Sequence, residues 1–211
     1  MTQVKTFPFT CPRCGHAELL PEYSSINAEE SPELKERILD GSLFSFTCSH
    51  CGYSALIRYE CVYADQKHQL LIHLPEDPDH PDLSREQDYP GWRIRRVNDP
   101  NELMEKILIF EEGLDDRAVE LEKHLLEEAI QNEQPDRKIQ AMYFMPAEDG
   151  YHFAVLSEEG FSGSVPMDHR TYQQIEEEVL PELSERMKAS PIINSAWAAF
   201  AIGSGPEERG E

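Results

Sequence analysis

The sequence predicts an α+β fold, and three observations carry that reading. Two matched C-x-x-C-G knuckles, CPRCG and CSHCG, lie in the first quarter of the chain. Capped segments with apolar residues at helical spacing occupy the middle, and alternating apolar segments broken by Asp-Gly and Glu-Gly turns come after them. The 211-residue chain is 39% hydrophobic, enough for a packed core. It carries 41 Asp and Glu against 19 Lys and Arg, a formal charge of −22. Acidity of this size argues against a nucleic-acid partner, because such binding draws its affinity from cations on phosphates. The first 63 residues hold five bases against eight acids, so they are less acidic but not basic. No apolar run approaches the ~20 residues of a membrane span, and no basic-then-apolar export signal opens the chain. The expectation is a cytoplasmic chain without a membrane partner.

The cysteines carry the sharpest signal. Cys11, Cys14, Cys48 and Cys51 form the two knuckles, each followed directly by glycine. Two sulfurs can grip one ion only if the chain turns tightly, and glycine accepts the left-handed backbone that closes such a turn. Four thiolates on one ion make a closed tetrahedral site, which is structural rather than catalytic. Zinc suits this donor set, and iron held as in rubredoxin suits it too. Disulfides or a redox pair are the non-metal alternatives. The pairs are separated by 33 residues from Gly15 to Thr47, against ~15–20 in the common four-cysteine pattern, so the ribbon carries an insertion.

That insertion reads as a helix. Ser31 is its cap, Pro32 its first position, Leu34, Ile38 and Leu39 its apolar stripe, and Gly41 its terminator. Leu43–Thr47 reads as a strand into the second knuckle. Ser54–Tyr63 and Lys67–Leu74 read as a hairpin turning at Ala64, Asp65 and Gln66, with Cys61 as a buried small hydrophobe. The Pro- and Asp-rich stretch from 75 to 91 reads as an exposed loop; its Asp77, Asp79, His80 and Asp82 lack the spacing of a calcium loop. Trp92–Val97 reads as a strand in which Arg93, Arg95 and Arg96 form the one dense basic spot. Asp99-Pro100 opens a helix with Leu103, Met104, Ile107, Leu108 and Phe110 on its buried side, and Gly113 ends it. A second helix, from about Asp115 to Ile130, carries Ala118, Leu121, Leu125 and Ala129, widened by Val119, Leu126 and Ile130. Asp115 and Asp116 sit at its positive end, and His124 lies on its wet side.

Three strands are predicted next: Lys138–Met145, Tyr151–Leu156 and Phe161–Met167. Asp168 caps a helix towards Lys188 that Pro181 should split, and Ile192–Ala201 is a short docking helix. The expected organisation is a zinc-ribbon-type module with a β-hairpin over 1–74, the loop 75–91, and an α+β module over 92–202. That last module has two central helices and an antiparallel strand-plus-helix part, and either stands alone or shares one core with 1–74. Residues 203–211 complete the chain as a flexible tail.

CPRCG, Asn27, SPELKERILDGSLFSFTC, CSHCG and VYADQKHQLLIHLPE together resemble the CpXC family of prokaryotic proteins, and RRVNDPNELMEKILIFEEGLDDRAVELEK is similar to the downstream segment of such proteins. The resemblance runs from about Thr10 to Lys123. It implies that Cys11, Cys14, Cys48 and Cys51 are metal ligands, and it implies no reaction. Ser49 stands where the family's second pair carries proline.

Sequence motifs for enzymes are missing: no nucleophile elbow, no H-E-x-x-H, no phosphate loop and no dinucleotide fingerprint. GFSGSVP reads as turn and strand, and His68 and His73 on the hairpin pair with no identifiable nucleophile. Catalytic residues and organic cofactors are therefore not assigned. The expectation is a zinc-stapled scaffold that binds another protein, with the oligomeric state open. An enzyme with an unrecognised site and a nucleic-acid-binding ribbon are the alternatives.

Overall fold

A computed structural model describes residues 1–203, the side chain of Arg85 aside. The expected tail lies outside the described residues from 204 onward. The fold is α+β, as expected. Two compact units divide inside a helix, one over Met1–Met104 and the other beginning at Glu105.

The first unit is built on a five-stranded sheet of order β1-β2-β5-β6-β7. Strands β1 (Gln3–Thr10) and β2 (Ala17–Asn27) form a long antiparallel hairpin that the sequence pattern leaves unassigned. Pro8 and Pro21 obscure it. In the ladder they face Leu19 and Thr6, at positions that alternate with the bonded pair Cys11–His16, so neither removes a bond between the strands. Only Ser25–Asn27 of β2 pair with β5 (Cys61–Asp65), in parallel. The outer part of the hairpin therefore stands beyond the sheet.

Helix α1 (Pro32–Leu39) forms as expected, with Pro32 at its start and Leu34 and Ile38 buried. Ser31 occupies the cap position, but its hydroxyl lies 2.9 Å from that of Thr2 and makes no cap bond. Gly41 takes φ +75° and ends the helix. The long strand expected over Ser54–Tyr63 is two strands. β4 (Ser54–Leu56) pairs with β3 (Ser45–Thr47) in a sheet of its own, and β5 begins at Cys61. Between them Arg58 leaves the ladder, and its guanidinium binds the carbonyls of Pro75, Glu76 and Asn98. The β5–β6 hairpin turns later than expected. Asp65 faces Leu70, and Gln66–Gln69 form the turn, because Asp65 accepts the amide of His68 at 3.0 Å.

After β6 (Leu70–Leu74) the acidic loop contains a short helix, α2 (Ser84–Gln87), whose Glu86 is buried. The strand placed at the head of a 92–202 module is β7 (Arg93–Arg96), and it pairs in parallel with β6. It belongs to the first sheet, so the division between units falls in α3 (Pro100–Glu111) and not in the loop. Asp99 caps α3 by accepting the amides of Asn101 and Glu102 at 2.7 and 3.0 Å.

In the second unit, α4 (Asp116–Glu133) is capped by Asp115, whose carboxylate also holds Arg117. Ala118 and Leu121 are buried as expected, but Leu125 and Ala129 are exposed. The buried arc instead includes Asp116, Glu120, Glu122 and Lys123. Hydrophobic spacing misplaces the stripe because Asp116, Glu120 and Lys123 are paired inside and Glu122 accepts the amide of Asp168. Lys123 Nζ lies 2.8 Å from Glu105 and 2.9 Å from Glu120, and Lys106 Nζ lies 3.2 Å from Asp116. Glu105 also accepts the amide of Phe144 at 2.7 Å. Strands β8 (Ala141–Ala147), β9 (Gly150–Ser157) and β10 (Gly160–Pro166) form the expected antiparallel meander. Phe144, Phe153 and Val155 pack there with Ile109, Val119 and Trp197. Pro181 does split the following helix: α5 (His169–Gln174) runs through a π turn and a 3-10 turn, and α6 (Glu185–Lys188) starts anew from the cap Ser184. Then α7 (Ser195–Ala201) docks Trp197 and Ala198. No described helix is long and apolar enough to cross a membrane.

Candidate metal centre

Both knuckles sit at hairpin tips and are built alike. Cys11–His16 joins β1 to β2; Cys11 donates its amide to His16 O at 2.8 Å, and Gly15 donates to Cys11 O at 2.9 Å. Cys48–Tyr53 joins β3 to β4 with the same pair of bonds, Cys48 to Tyr53 O at 2.8 Å and Gly52 to Cys48 O at 3.0 Å. Gly15 and Gly52 take φ +74° and +69°, the backbone that the sequence spacing requires of them.

The tips meet so that the four sulfurs lie within 4.8 Å of one another. Cys11–Cys51 and Cys14–Cys48 are the contacts at 3.7 Å, each joining one knuckle to the other. Sulfurs about 2.3 Å from a shared tetrahedral ion lie about 3.8 Å apart, so the donor set fits one metal ion. Cys11 and Cys48 are buried, Cys51 is half-buried and Cys14 is exposed. An apolar shell closes the inner side: Phe9 and Phe46 pack edge to face with centroids 4.6 Å apart, flanked by Leu20, Tyr53 and Ile57.

Proton affinity at the cluster shows why a cation belongs there. Burial raises the Cys11 thiol, but the amides of Cys14 and Arg13 outweigh it and bring it down to about 7. The His16 amide lowers Cys14, yet desolvation and the sulfurs of Cys51, Cys11 and Cys48 push it up to about 12. Burial pushes Cys48 up as well. One thiolate forms readily, whereas burial and neighbouring sulfurs oppose those of Cys14 and Cys48. A divalent ion reverses that opposition by supplying the missing positive charge.

The family described as CpXC protein matches residues 9–123, more than half of the chain. The chain belongs to the CpXC family. No curated protein and no solved structure matches it. The matched span contains both knuckles and ends within α4.

One contact in this CpXC chain has no counterpart in the sequence pattern. Ser49, the residue at the family's proline, donates its amide to Glu18 Oε1 at 2.9 Å, and its hydroxyl lies 3.1 Å from the same oxygen. Proline has no amide to give, so this tie between the second knuckle and β2 depends on the departure from the family pattern. Nothing in the sequence marks Glu18 as its partner, since the hairpin that presents Glu18 carries no clear strand signal of its own. His16 and His50 stack beside the cluster with centroids 5.5 Å apart.

The other sequence candidates have structural roles. Cys61 is buried in β5, away from the four-sulfur cluster. Asp77 holds the His80 ring at 3.1 Å and the Asp79 amide, and Asp82 accepts the amide of Ser84. The basic spot is not one surface patch: Arg93 is exposed, but Arg95 is buried, and Arg96 binds Glu86 through two bonds of 2.5 and 2.7 Å. His73 is fully buried between Glu86 and Glu60, 3.2 Å from each. Asp115 is a helix cap, Asp116 pairs with Lys106, and His124 lies 3.6 Å from Glu128.

Proposed function

We propose that this CpXC protein is a zinc-stapled scaffold that acts by binding another protein in the cytoplasm. The observation that supports it is the four-sulfur cluster, which is the only group of three or more potential ligand residues converging among the described residues. In this reading Cys11, Cys14, Cys48 and Cys51 supply all four ligands. No coordination position is left for substrate, so the ion orders the chain and does no chemistry. It clamps two hairpin tips that otherwise share a small apolar core around Phe46, the Ser49–Glu18 tie and the His16–His50 stack. Zinc is favoured over iron because a site with a structural task gains nothing from a redox-active ion, and a reducing compartment keeps the thiolates available.

Elemental analysis of anaerobically purified protein tests the metal: one zinc per chain is expected, and one iron or no stoichiometric metal refutes the zinc reading. Native complexes captured with wild type and with a Cys14→Ser/Cys48→Ser variant test the role. A protein partner retained by wild type and lost by the variant is expected. Equal capture by both separates partner binding from the metal site. Salt-sensitive micromolar binding of DNA or RNA at about 0.15 M salt would replace the protein partner with a nucleic acid.

A further inference from the structure

The four sulfurs are not equivalent, and their inequality has a pattern. Each of the two 3.7 Å contacts joins a more accessible sulfur on one knuckle to a buried sulfur on the other: exposed Cys14 to buried Cys48, and half-buried Cys51 to buried Cys11. The two contacts share no sulfur, so both pairs can react without competing. An accessible thiolate backed by a second thiolate is the arrangement in which peroxide oxidation ends in a disulfide rather than a higher oxide.

We propose that the cluster is a two-disulfide oxidation site, in which hydrogen peroxide converts Cys14–Cys48 and Cys11–Cys51 into cross-knuckle bonds as the metal leaves. The inference rests on the four-thiolate reading of the metal site. In each pair the accessible thiolate attacks a peroxide oxygen, the O–O bond breaks, and the leaving hydroxide takes a proton to become water. The resulting sulfenic acid is attacked by the buried thiolate, an S–S bond forms, and the second hydroxide leaves as water after taking up a proton. Two peroxides and four protons thus yield two disulfides, four waters and one freed divalent ion. Cys14 reacts first because its sulfur is the exposed one and a bound ion would hold it as the thiolate. Because the bonds run across the cluster, the oxidised chain keeps its hairpin tips joined, and a covalent staple replaces the ionic one.

The test uses the full chain, zinc-loaded, with two equivalents of hydrogen peroxide. Metal release is followed with a chromogenic chelator, and disulfides are mapped by mass spectrometry after alkylation. Trypsin cuts after Arg13, which places Cys11 and Cys14 on separate peptides, and fragmentation between Cys48 and Cys51 assigns their partners. Expected are loss of one zinc and four thiols, Cys14–Cys48 and Cys11–Cys51 cross-links, and an alkylatable Cys61. Bonds within the knuckles, sulfinic acids in place of disulfides, or a Cys61 disulfide overturn the proposal. In Cys14→Ser, Cys11–Cys51 should still form and Cys48 should stay reduced; a Cys48–Cys51 bond there also overturns it. A purified chain without metal refutes the metal reading alone, since the map from the reduced metal-free chain still decides which sulfurs pair.

Discussion

Replacing Lys123 by methionine should remove a large fraction of the second unit's stability. The ammonium lies 2.8 and 3.1 Å from the two oxygens of Glu105 and 2.9 Å from Glu120, and all three residues are buried. Burial favours the neutral form of Lys123, yet Glu105 and Glu120 overcome it and hold the ammonium charged well above the usual lysine range. Each contact at about 3 Å is worth roughly 5 kcal/mol of gross attraction at an effective dielectric of ~20. Part of this is offset because the variant no longer buries an ammonium, while its methylenes stay packed as methionine. Two carboxylates remain with only Lys106 nearby, 4.0 Å from Glu120. Breaking one side of a buried network costs about 3–5 kcal/mol, against a typical total of about 5–15 kcal/mol. Urea unfolding followed by Trp197 fluorescence in a Trp92→Phe background reads this unit, because Trp197 is packed in its core. The exposed pair Lys138–Glu158 is the control, and Lys138→Met should change stability by less than about 0.5 kcal/mol. A Lys123→Met loss below about 1 kcal/mol would refute the reasoning, since it would mean that the ammonium is solvated.

Further outcomes are expected. Burial pushes Glu122 up to about 7 against the opposing amide of Asp168, and its Oε2 is buried without a hydrogen-bond partner. The folded chain keeps a proton that the unfolded chain releases near pH ~4.3, so this group's contribution is complete below that pH and lost as pH rises through 7. Glu122→Gln should therefore flatten a fall on the order of 2 kcal/mol in denaturant stability between pH 5 and 8; a parallel pH profile for variant and wild type would contradict the assignment. Cys48→Ser should abolish stoichiometric metal and Cys61→Ser should retain it, as measured by elemental analysis. Ser49→Pro, which restores the family's residue, should lose about 1 kcal/mol through the missing bonds to Glu18 and speed metal loss to a chelator; an unchanged rate would show that the tie is dispensable. On metal removal, hydrogen exchange should rise over 8–20 and 44–57, while β5 and β6 stay protected; uniform exchange across Met1–Met104 would show that the ion supports the whole sheet.

Local chemistry is legible wherever one residue decides a backbone. Gly15, Gly52, Asp99, Asp115, Asp168 and Pro181 each act as their residue type predicts, because a positive φ, a cap or a missing amide is set within a few residues. The hairpin β1–β2 is illegible for the converse reason. Its side chains are exposed or half-buried, with Ile26 alone buried, so the apolar alternation that marks a strand against a core is weak, and its two prolines read as breaks. Only the ladder shows that both prolines fall where no amide is needed. The α4 stripe fails because apolar spacing treats Glu120 and Lys123 as solvent-facing, whereas partners distant in sequence make them buriable.

At the metal centre, residue identity and position carry different amounts of information. The knuckle spacing names four ligands, but it leaves open why 33 residues can intervene between the pairs. The fold answers that: the intervening chain is not a loop to be closed by the ion, since β2 and α1 are part of the first unit's architecture. Ordering the middle of that chain therefore costs the metal little, because Ser25–Asn27 are held by β5 and α1 buries Leu34 and Ile38. The outer hairpin is different. β2 meets β5 only at Ser25–Asn27, and an unsupported two-stranded ribbon is marginal in water. The ion's free energy, on the order of 10 kcal/mol in small zinc sites, is thus concentrated on the tips and their Phe9–Phe46 core rather than spread over 1–74. A chain built this way can lose its ribbon without losing its sheet, which makes the tips the part of the molecule whose order would respond to metal removal.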